Sequence, residues 1–332
     1  MARASIRDVA REAGVSTALA SFALNDRDGV SPATKERILA VAARLGYRAD
    51  PLARALRTGS TNTYGLMIRN MHNPYFLEVL RGAQDAASEV GATILAVDSA
   101  YSVDREREHI ERLAAQRVSG LAIAPVGYGA AIGHWLELCP GRPVVVVNAV
   151  HHGDLPVRVV APDNLAAVRL AVDHLVELGH RRLTFFTAPA GVVADNDRLE
   201  TFLARTAELG VRPHPVETEL NLDAAGARTL ELLRSAEPPT AIITNSDFTA
   251  HAVYRAARQA GVRVGADLSV VGHDDLATSE LLDPPLTTLR LDRHSLGRAI
   301  VARLTQQADL GDHAEPVELV VRRSTAPPPA AG

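Results

Sequence analysis

Ile6-Arg7-Asp8-Val9-Ala10-Arg11-Glu12-Ala13-Gly14-Val15-Ser16 decides how the amino terminus folds. Ile6, Val9 and Ala10 recur at the i, i+3, i+4 spacing of one helix face. Ser5, with Asp8 three residues on, has the pattern of a capping box, Asp standing in the usual Glu or Gln place. Gly14 stops this helix, because glycine accepts the left-handed backbone of a tight turn. Ser16 is a good N-cap for a second helix from Thr17 to about Leu24. Asn25, Asp26, Asp28 and Gly29 read as a loop. Ser31 then caps a third helix with Pro32 at its first position, where a missing N–H costs nothing. Ile38, Leu39, Val41, Ala42 and Leu45 give that helix an apolar face, and Gly46 ends it.

Two short helices joined by a glycine turn, with a third packed behind, form a helix-turn-helix pattern. In that arrangement the second helix lies in the major groove of DNA, its first residues nearest the base edges. A plain three-helix bundle that binds no nucleic acid fits the same periodicity. Charge adds a weak pointer. Of the chain's 35 basic and 39 acidic side chains, residues 1–60 hold 10 and 6, a net of +4. The remainder is left with 25 and 33, a net of −8. A small basic head on an acidic body suits a polyanion-binding module joined to something else.

At 332 residues and 47% hydrophobic composition, the chain can build two or more ordinary cores. Its single cysteine, Cys139, can form neither an intrachain disulfide nor a cysteine zinc site. The charged start, Arg3, Arg7, Asp8 and Arg11, lacks the apolar run of an export signal. No stretch approaches the length of a membrane span. A cytoplasmic protein with no membrane partner is expected. The sequence contains no nucleophile elbow, zinc-protease helix, dinucleotide glycine turn or phosphate loop, so an enzyme is not expected and no cofactor is implied. His151-His152 has no evident third ligand, which argues against a metal.

From residue 61 the pattern becomes alternating strands and helices. Strand-like runs cover 64–68, 93–97, 121–125, 143–148, 182–187, 241–244 and 268–272. Helical patterns cover 74–90, 106–116, 165–178, 199–209, 225–233, 248–260 and 296–307. Nearly continuous apolar strands between helices argue for parallel sheets covered on both faces. Some 270 residues is long for one such sheet, so two similar lobes are expected. Open α/β sheets bind ligands beyond the carboxyl ends of their strands. That rule selects Asn73, Tyr75 and Phe76, then Ser99 and Tyr101, then Asn148. In the second half it selects Asp163-Asn164, Ala188, Ser246-Asp247 and His273-Asp274. Amides and carboxylates bond hydroxyls, and aromatic rings offer flat apolar faces, which suits a small polyhydroxylated or heterocyclic ligand.

The stretch from Ile6 to Ser16, Val30-Ser31-Pro32-Ala33-Thr34-Lys35-Glu36-Arg37-Ile38, Leu45-Gly46-Tyr47 and Leu52-Ala53-Arg54-Ala55-Leu56-Arg57-Thr58-Gly59 resemble the LacI/GalR family of bacterial transcriptional repressors. The similarity runs to about Thr325. The resemblance implies a helix-turn-helix domain at 1–48 and a hinge helix at 49–60. It implies a periplasmic-binding-protein-like core of two doubly wound parallel-sheet lobes. The first lobe would take 61–161 and 292–319, and the second 162–291 and 320–325. Residues 326–332 are expected as a disordered tail. Ser16, Ser21, Asn25 and Thr34 would touch phosphates, which fixes register without reading sequence. Tyr47 would pack against the DNA backbone, and Thr17, Ala18 and Phe22 fall where the family reads bases. Leu19 and Phe22 depart from the usual Thr and Arg, so few direct hydrogen bonds to bases are expected. Two hinge helices of a dimer would enter the minor groove, with Leu56 wedged into the central step and Ala53 allowing close approach.

The same resemblance makes Asn73, Tyr75, Phe76, Asn148, Asp163, Arg198, Asp247 and Asp274 effector-binding candidates. Arg198 sits in Asp197-Arg198-Leu199-Glu200-Thr201-Phe202, where Thr201 replaces the family glycine. His273 stands where an aromatic is usual. The expected function is a ligand-responsive repressor of carbohydrate-utilisation genes. It would bind a pseudo-palindromic double-stranded operator as a homodimer, with a sugar in the inter-lobe cleft. A nucleoside or purine effector is the alternative, and a solute-binding protein or a sugar-processing enzyme a more distant one. The tail has no heptad repeat, so tetramerisation through a coiled coil is not expected.

Overall fold

The computed structural model describes residues 4–24, 28–47, 61–127, 129–149, 155–189, 196–305 and 310–329. The chain divides into two compact units, 1–61 and 62–332.

The amino-terminal unit holds α1 (Ile6–Ala13), α2 (Thr17–Leu24) and α3 (Pro32–Arg44). Each end is set by the residue that the sequence marks for it. Ser5 caps α1, and both halves of the capping box with Asp8 are formed. Gly14 ends α1 in the left-handed conformation, φ 65°. Ser31 Oγ accepts the Thr34 amide at the start of α3, with Pro32 in its first turn. Val9, Ala10, Ala13, Ala20, Ala23, Ile38, Val41 and Ala42 form one core, against which Tyr47 packs. Small alanines on α1 and α2 let the helices approach closely.

The second unit is built on two parallel sheets. The first runs, in spatial order, β11 (His313–Glu315), β5 (Arg158–Pro162), β4 (Val144–Val147), β3 (Leu121–Ile123), β1 (Thr63–Ile68) and β2 (Thr93–Asp98). Helices α4 (Pro74–Glu89), α5 (Val103–Ala115), α6 (Ala130–Leu138) and α11 (Arg293–Thr305) belong to this lobe. The other sheet runs β7 (Arg212–Glu217), β6 (Arg182–Thr187), β8 (Ala241–Ile243) and β9 (Ser269–Val271). It is covered by α7 (Asn164–Glu177), α8 (Asn196–Glu208), α9 (Leu222–Leu233) and α10 (Asp247–Ala260). The β1 strand is buried from Gly65 to Ile68 and β4 throughout, as expected of strands covered on both faces.

The chain passes between lobes near Asp163 and again at the antiparallel pair β10 (Thr288–Arg290) and β12 (Glu318–Val320). Leu289 and Leu319 pack in the second lobe, Leu291 in the first, and Val317 against both. At the start of the expected tail, Ala326 is tied to the second lobe, while 330–332 lie outside the described residues. Ser269 Oγ accepts the Ala326 amide at 3.1 Å, and the Ala326 carbonyl lies 3.0 Å from both Ser269 Oγ and His180 Nε2. His180 Nε2 lies 3.0 Å from Ser269 Oγ as well, so ring, hydroxyl and carbonyl form one cluster. The buried His180 thus fastens the tail to β9, and burial lowers its basicity.

Among the described residues no helix is long and apolar enough to cross a membrane. Nor do they gather three His, Cys, Asp or Glu side chains as a metal site needs; His151 and His152 lie outside them.

Candidate functional site

In the amino-terminal unit, Ser16, Thr17, Ala18 and Phe22 are exposed along the first turns of α2. Phe22 is 40% exposed and stands outside the helical core, whereas Leu19 is half-buried. Ser16 Oγ accepts the Leu19 amide at 3.1 Å, so it caps α2 while its hydroxyl faces solvent. Ser21 is half-buried. Thr34 is half-buried too and accepts the Ser31 hydroxyl at 2.8 Å. This arrangement presents one helix edge, with hydroxyls flanking an apolar patch, and suits contact with a phosphate backbone and thymine methyls. Asn25, Ala53 and Leu56 lie outside the described residues.

In the second unit a cleft opens where the strands of both sheets end. Arg69 follows β1, Asn73, Tyr75 and Phe76 begin α4, Tyr101 follows β2 and Asn148 follows β4. From the facing lobe come Arg198 on α8, Leu220 after β7, Asn245 and Ser246 after β8, Phe248 on α10 and Asp274 after β9. The structure therefore brings together six of the eight cleft candidates: Asn73, Tyr75, Phe76, Asn148, Arg198 and Asp274.

Local rules explain how each is held. Asn73 Oδ1 accepts the Tyr75 amide at 3.0 Å and caps α4, with Pro74 next. Tyr75 and Phe76 meet edge to face, ring centres 5.1 Å apart. The Tyr75 hydroxyl donates to Asn148 Oδ1 at 2.8 Å. Burial, then the nearby Asp274 carboxylate, raises the pKa of Tyr75 well above the ordinary phenol value, so it stays a neutral donor. Arg69 is 5% exposed and donates through Nε to the Pro125 carbonyl and through an Nη to the Asn148 carbonyl. Arg198 donates to Asn164 Oδ1 and to the Asn245 carbonyl, both at 2.8 Å. It thereby joins the starts of α7 and α10. Asp274 is buried at φ 114°, and its Oδ1 lies 2.9 Å from His273 Nδ1. Its amide donates to the Leu289 carbonyl of β10, so this cleft acid is attached to the inter-lobe crossing.

Two candidates are placed elsewhere. Asp163 caps α7 by accepting the Ala166 amide and is absent from the cleft lining. Asp247 is fully buried beneath the cleft, accepting from the Leu276 amide at 2.8 Å, Ser279 Oγ at 2.5 Å and Thr288 Oγ1 at 2.6 Å. Burial, then repulsion from Asp274, pushes its pKa up to about 7. Arg69, Leu220 and Phe248 are cleft residues that the strand-end rule did not select. Arg69 directly follows an apolar strand and was within that rule's reach; Leu220 carries no signal of its own.

Comparison with known proteins covers the chain from end to end. A profile described as bacterial regulatory proteins, lacI family, matches residues 5–50, and one described as a periplasmic binding protein-like domain matches 172–325. The chain is 30% identical over 326 residues to the ribose operon repressor of Halalkalibacterium halodurans, covering 97% of each. It is 29% identical over 332 residues to the HTH-type transcriptional repressor CytR of Escherichia coli (strain K12), covering 97% of this chain and 96% of that one. The solved structure of a Lac repressor dimer bound to operator and the anti-inducer ONPF matches with a TM-score of 0.86 at 28% identity, covering 98% of this chain and 100% of that one. A capped helix-turn-helix unit, a two-lobed core and full-length likeness to these repressors agree: the chain belongs to the LacI family of bacterial regulatory proteins.

Proposed function

We propose that this protein is a cytoplasmic transcriptional repressor, without enzymatic activity, whose hold on a pseudo-palindromic operator is set by a small polar effector in the inter-lobe cleft. The observation that carries this is the attachment of cleft to crossing. Asp274 lines the cleft, and its backbone is hydrogen-bonded to β10, where the chain passes between lobes. A ligand that shifts Asp274 therefore biases the angle between the lobes. Effector and operator then change each other's affinity by the same factor.

A sugar suits the cleft best, because amides, a carboxylate and guanidinium groups from two sides match a ring with several hydroxyls. The ribose operon repressor among the relatives supports that class. A nucleoside is the second reading, favoured by Tyr75, Phe76 and Phe248 in the same lining.

A homodimer fits the symmetry of a paired operator. Leu281, 82% exposed, borders a surface groove with His251, Tyr254, Arg255 and Arg258, an apolar projection that a two-fold partner would cover. We take residues 49–60, which lie outside the described residues, to act as the hinge on the operator, with Leu56 entering the minor groove and Ala53 allowing close approach.

Thermal-shift screening of sugars and nucleosides on the full-length protein, followed by operator binding with and without each hit, tests the reading. A hit that shifts operator affinity, and loses that effect in Arg198→Ala, is expected. Hits that leave operator affinity untouched would separate the cleft from DNA control. Leu56→Ala should weaken operator binding far more than binding to random DNA; equal losses would remove the wedge.

A further inference from the structure

At one end of the cleft a side chain of the first lobe packs on apolar side chains of the second. After β2, Ala100 and Tyr101 both adopt left-handed backbone conformations, φ 47° and 56°, which residues with a Cβ seldom do. Their turn is firmly tied. Asp98 Oδ1 accepts the Ala100 amide at 2.8 Å, the Arg69 carbonyl accepts the Tyr101 amide at 3.1 Å, and the Ser99 carbonyl accepts the Ser102 amide at 2.9 Å. Strained backbone that is held this firmly marks a side chain aimed for a purpose. Tyr101 leaves its own lobe and packs on Ala188, which follows β6, and Leu220, which follows β7. Both are more than nine-tenths buried, and the three form an apolar cluster apart from the two lobe cores.

Tyr101 also lines the cleft, whose cavity is only about 40 Å³. Pockets that hold small ligands run to roughly 300–1,000 Å³. A ring enters only if the lobes part, and parting them lifts Tyr101 from its seat. The polar groups, from Arg69 to Asp274, line the cleft itself, and at its Tyr101 end the ring packs across on Ala188 and Leu220.

We infer that Tyr101 is a specificity-determining clasp: seated on Ala188 and Leu220, it closes one end of the cleft and restricts the effector to a single hydroxylated ring. This rests on the sugar reading of the cleft, but the seat itself is measurable with no ligand present.

Methyl NMR of the full-length protein reads the seat. Ring-current shifts on the Leu220 δ and Ala188 β methyls are expected in the wild type and in Tyr101→Phe, and lost in Tyr101→Ala. Methyl shifts that are the same in all three proteins overturn the clasp. Calorimetric titration with D-ribose and with cellobiose reads the selection. In the wild type and in Tyr101→Phe, D-ribose should bind at least about tenfold more tightly than cellobiose, the scale of ordinary pocket discrimination. In Tyr101→Ala the two should come within about threefold. An unchanged ratio in Tyr101→Ala overturns the size restriction. If neither sugar binds any of the three proteins while the methyl shifts behave as expected, the restriction to a single sugar ring is overturned and only the Tyr101 seat stands.

Discussion

Asp247 accepts the Thr288 hydroxyl at 2.6 Å, joining the first turn of α10 to the strand on which the chain leaves the second lobe. The same carboxylate accepts from Leu276 and Ser279 on the segment between β9 and β10. Gly272 makes room for it, since a Cβ there would lie 2.1 Å from Asp247 Oδ1. Asn245, Ser246 and Phe248, its neighbours in sequence, line the cleft. Ligand-facing and crossing-facing groups thus share one helix start.

That position makes the core pH-sensitive in a definite direction. The Asp247 pKa rises from 3.8 to about 7 in the fold, through burial first and Asp274 second. Between those values the folded core keeps a proton that the unfolded chain has released. The stabilisation is therefore complete below about pH 4 and lost as pH rises through about 7. Buried histidines such as His180 act in the opposite sense in both proteins, so the difference is the readout: between pH 5 and 8 the wild-type thermal midpoint should fall relative to that of Asp247→Asn, whose amide mimics the protonated acid. Equal slopes would show that another group is responsible.

Tyr75→Phe isolates one part-buried hydrogen bond. The ring and its edge contact with Phe76 remain, but Asn148 Oδ1 loses the donor it has at 2.8 Å. Asn148 is half-buried and can turn to solvent, so the loss should be about 0.5–1.5 kcal/mol, read as a lower denaturant midpoint of the full-length protein. Because the phenol stays protonated well above its usual range, the loss should be the same at pH 6 and pH 9. A loss confined to high pH would contradict this.

Ser16 and Phe22 should respond differently to substitution. Ser16→Ala removes the α2 cap, worth about 1 kcal/mol, together with a solvent-facing hydroxyl suited to phosphate. Operator and random DNA should both be bound more weakly, because a phosphate contact carries no sequence information. Phe22→Ala should instead narrow the gap between operator and random DNA, since an exposed apolar side chain can meet a thymine methyl but cannot hydrogen-bond a phosphate. Anisotropy titrations at one salt concentration compare the two; a purely non-specific effect of Phe22→Ala would assign Phe22 to packing.

The amino-terminal unit was legible because its boundaries are chemical. Ser5, Asp8, Gly14, Ser31 and Pro32 each act at the position where their side chain or backbone is needed. The core was legible where strands are long and apolar. The β7 edge strand was not: Pro213 and Pro215 interrupt its pattern, and it pairs only with β6. The β5 strand sets only three apolar residues between an arginine and a proline, and β10, β11 and β12 lack the apolar runs that mark the equally short β3, β8 and β9. Helix α6 is preceded by Gly129, which has no side chain to cap it. For the cleft, strand ends located most of the lining, but not which way an acid at a helix start turns. Asp163 and Asp247 both turn toward nearby donors, and a motif quotes the residue without its direction.

Gly297 sets how closely α11 lies on α4, and through it the position of the cleft aromatics. A Cβ at Gly297 would lie 2.1 Å from the Val79 carbonyl and 2.5 Å from the Ala83 amide, and one at Gly82 would lie 2.1 Å from the His294 carbonyl. These are backbone atoms, so the helices must separate to admit a methyl. At the rim, Arg298 meets Glu89 through two 2.8 Å hydrogen bonds and His294 meets Asp85 at 2.9 Å. Those pairs are exposed and screened by solvent, and contribute little beside the glycine contact. Gly297→Ala should therefore destabilise the protein by about 1–3 kcal/mol, as overpacking does, whereas Arg298→Ala should leave the midpoint nearly unchanged. Because α4 begins with Pro74, Tyr75 and Phe76, separation of the helices also displaces the cleft wall, so Gly297→Ala should weaken effector binding although it touches no ligand. A Gly297→Ala protein as stable as the wild type would mean that the two helices can slide apart freely, and that the cleft wall is not held from behind.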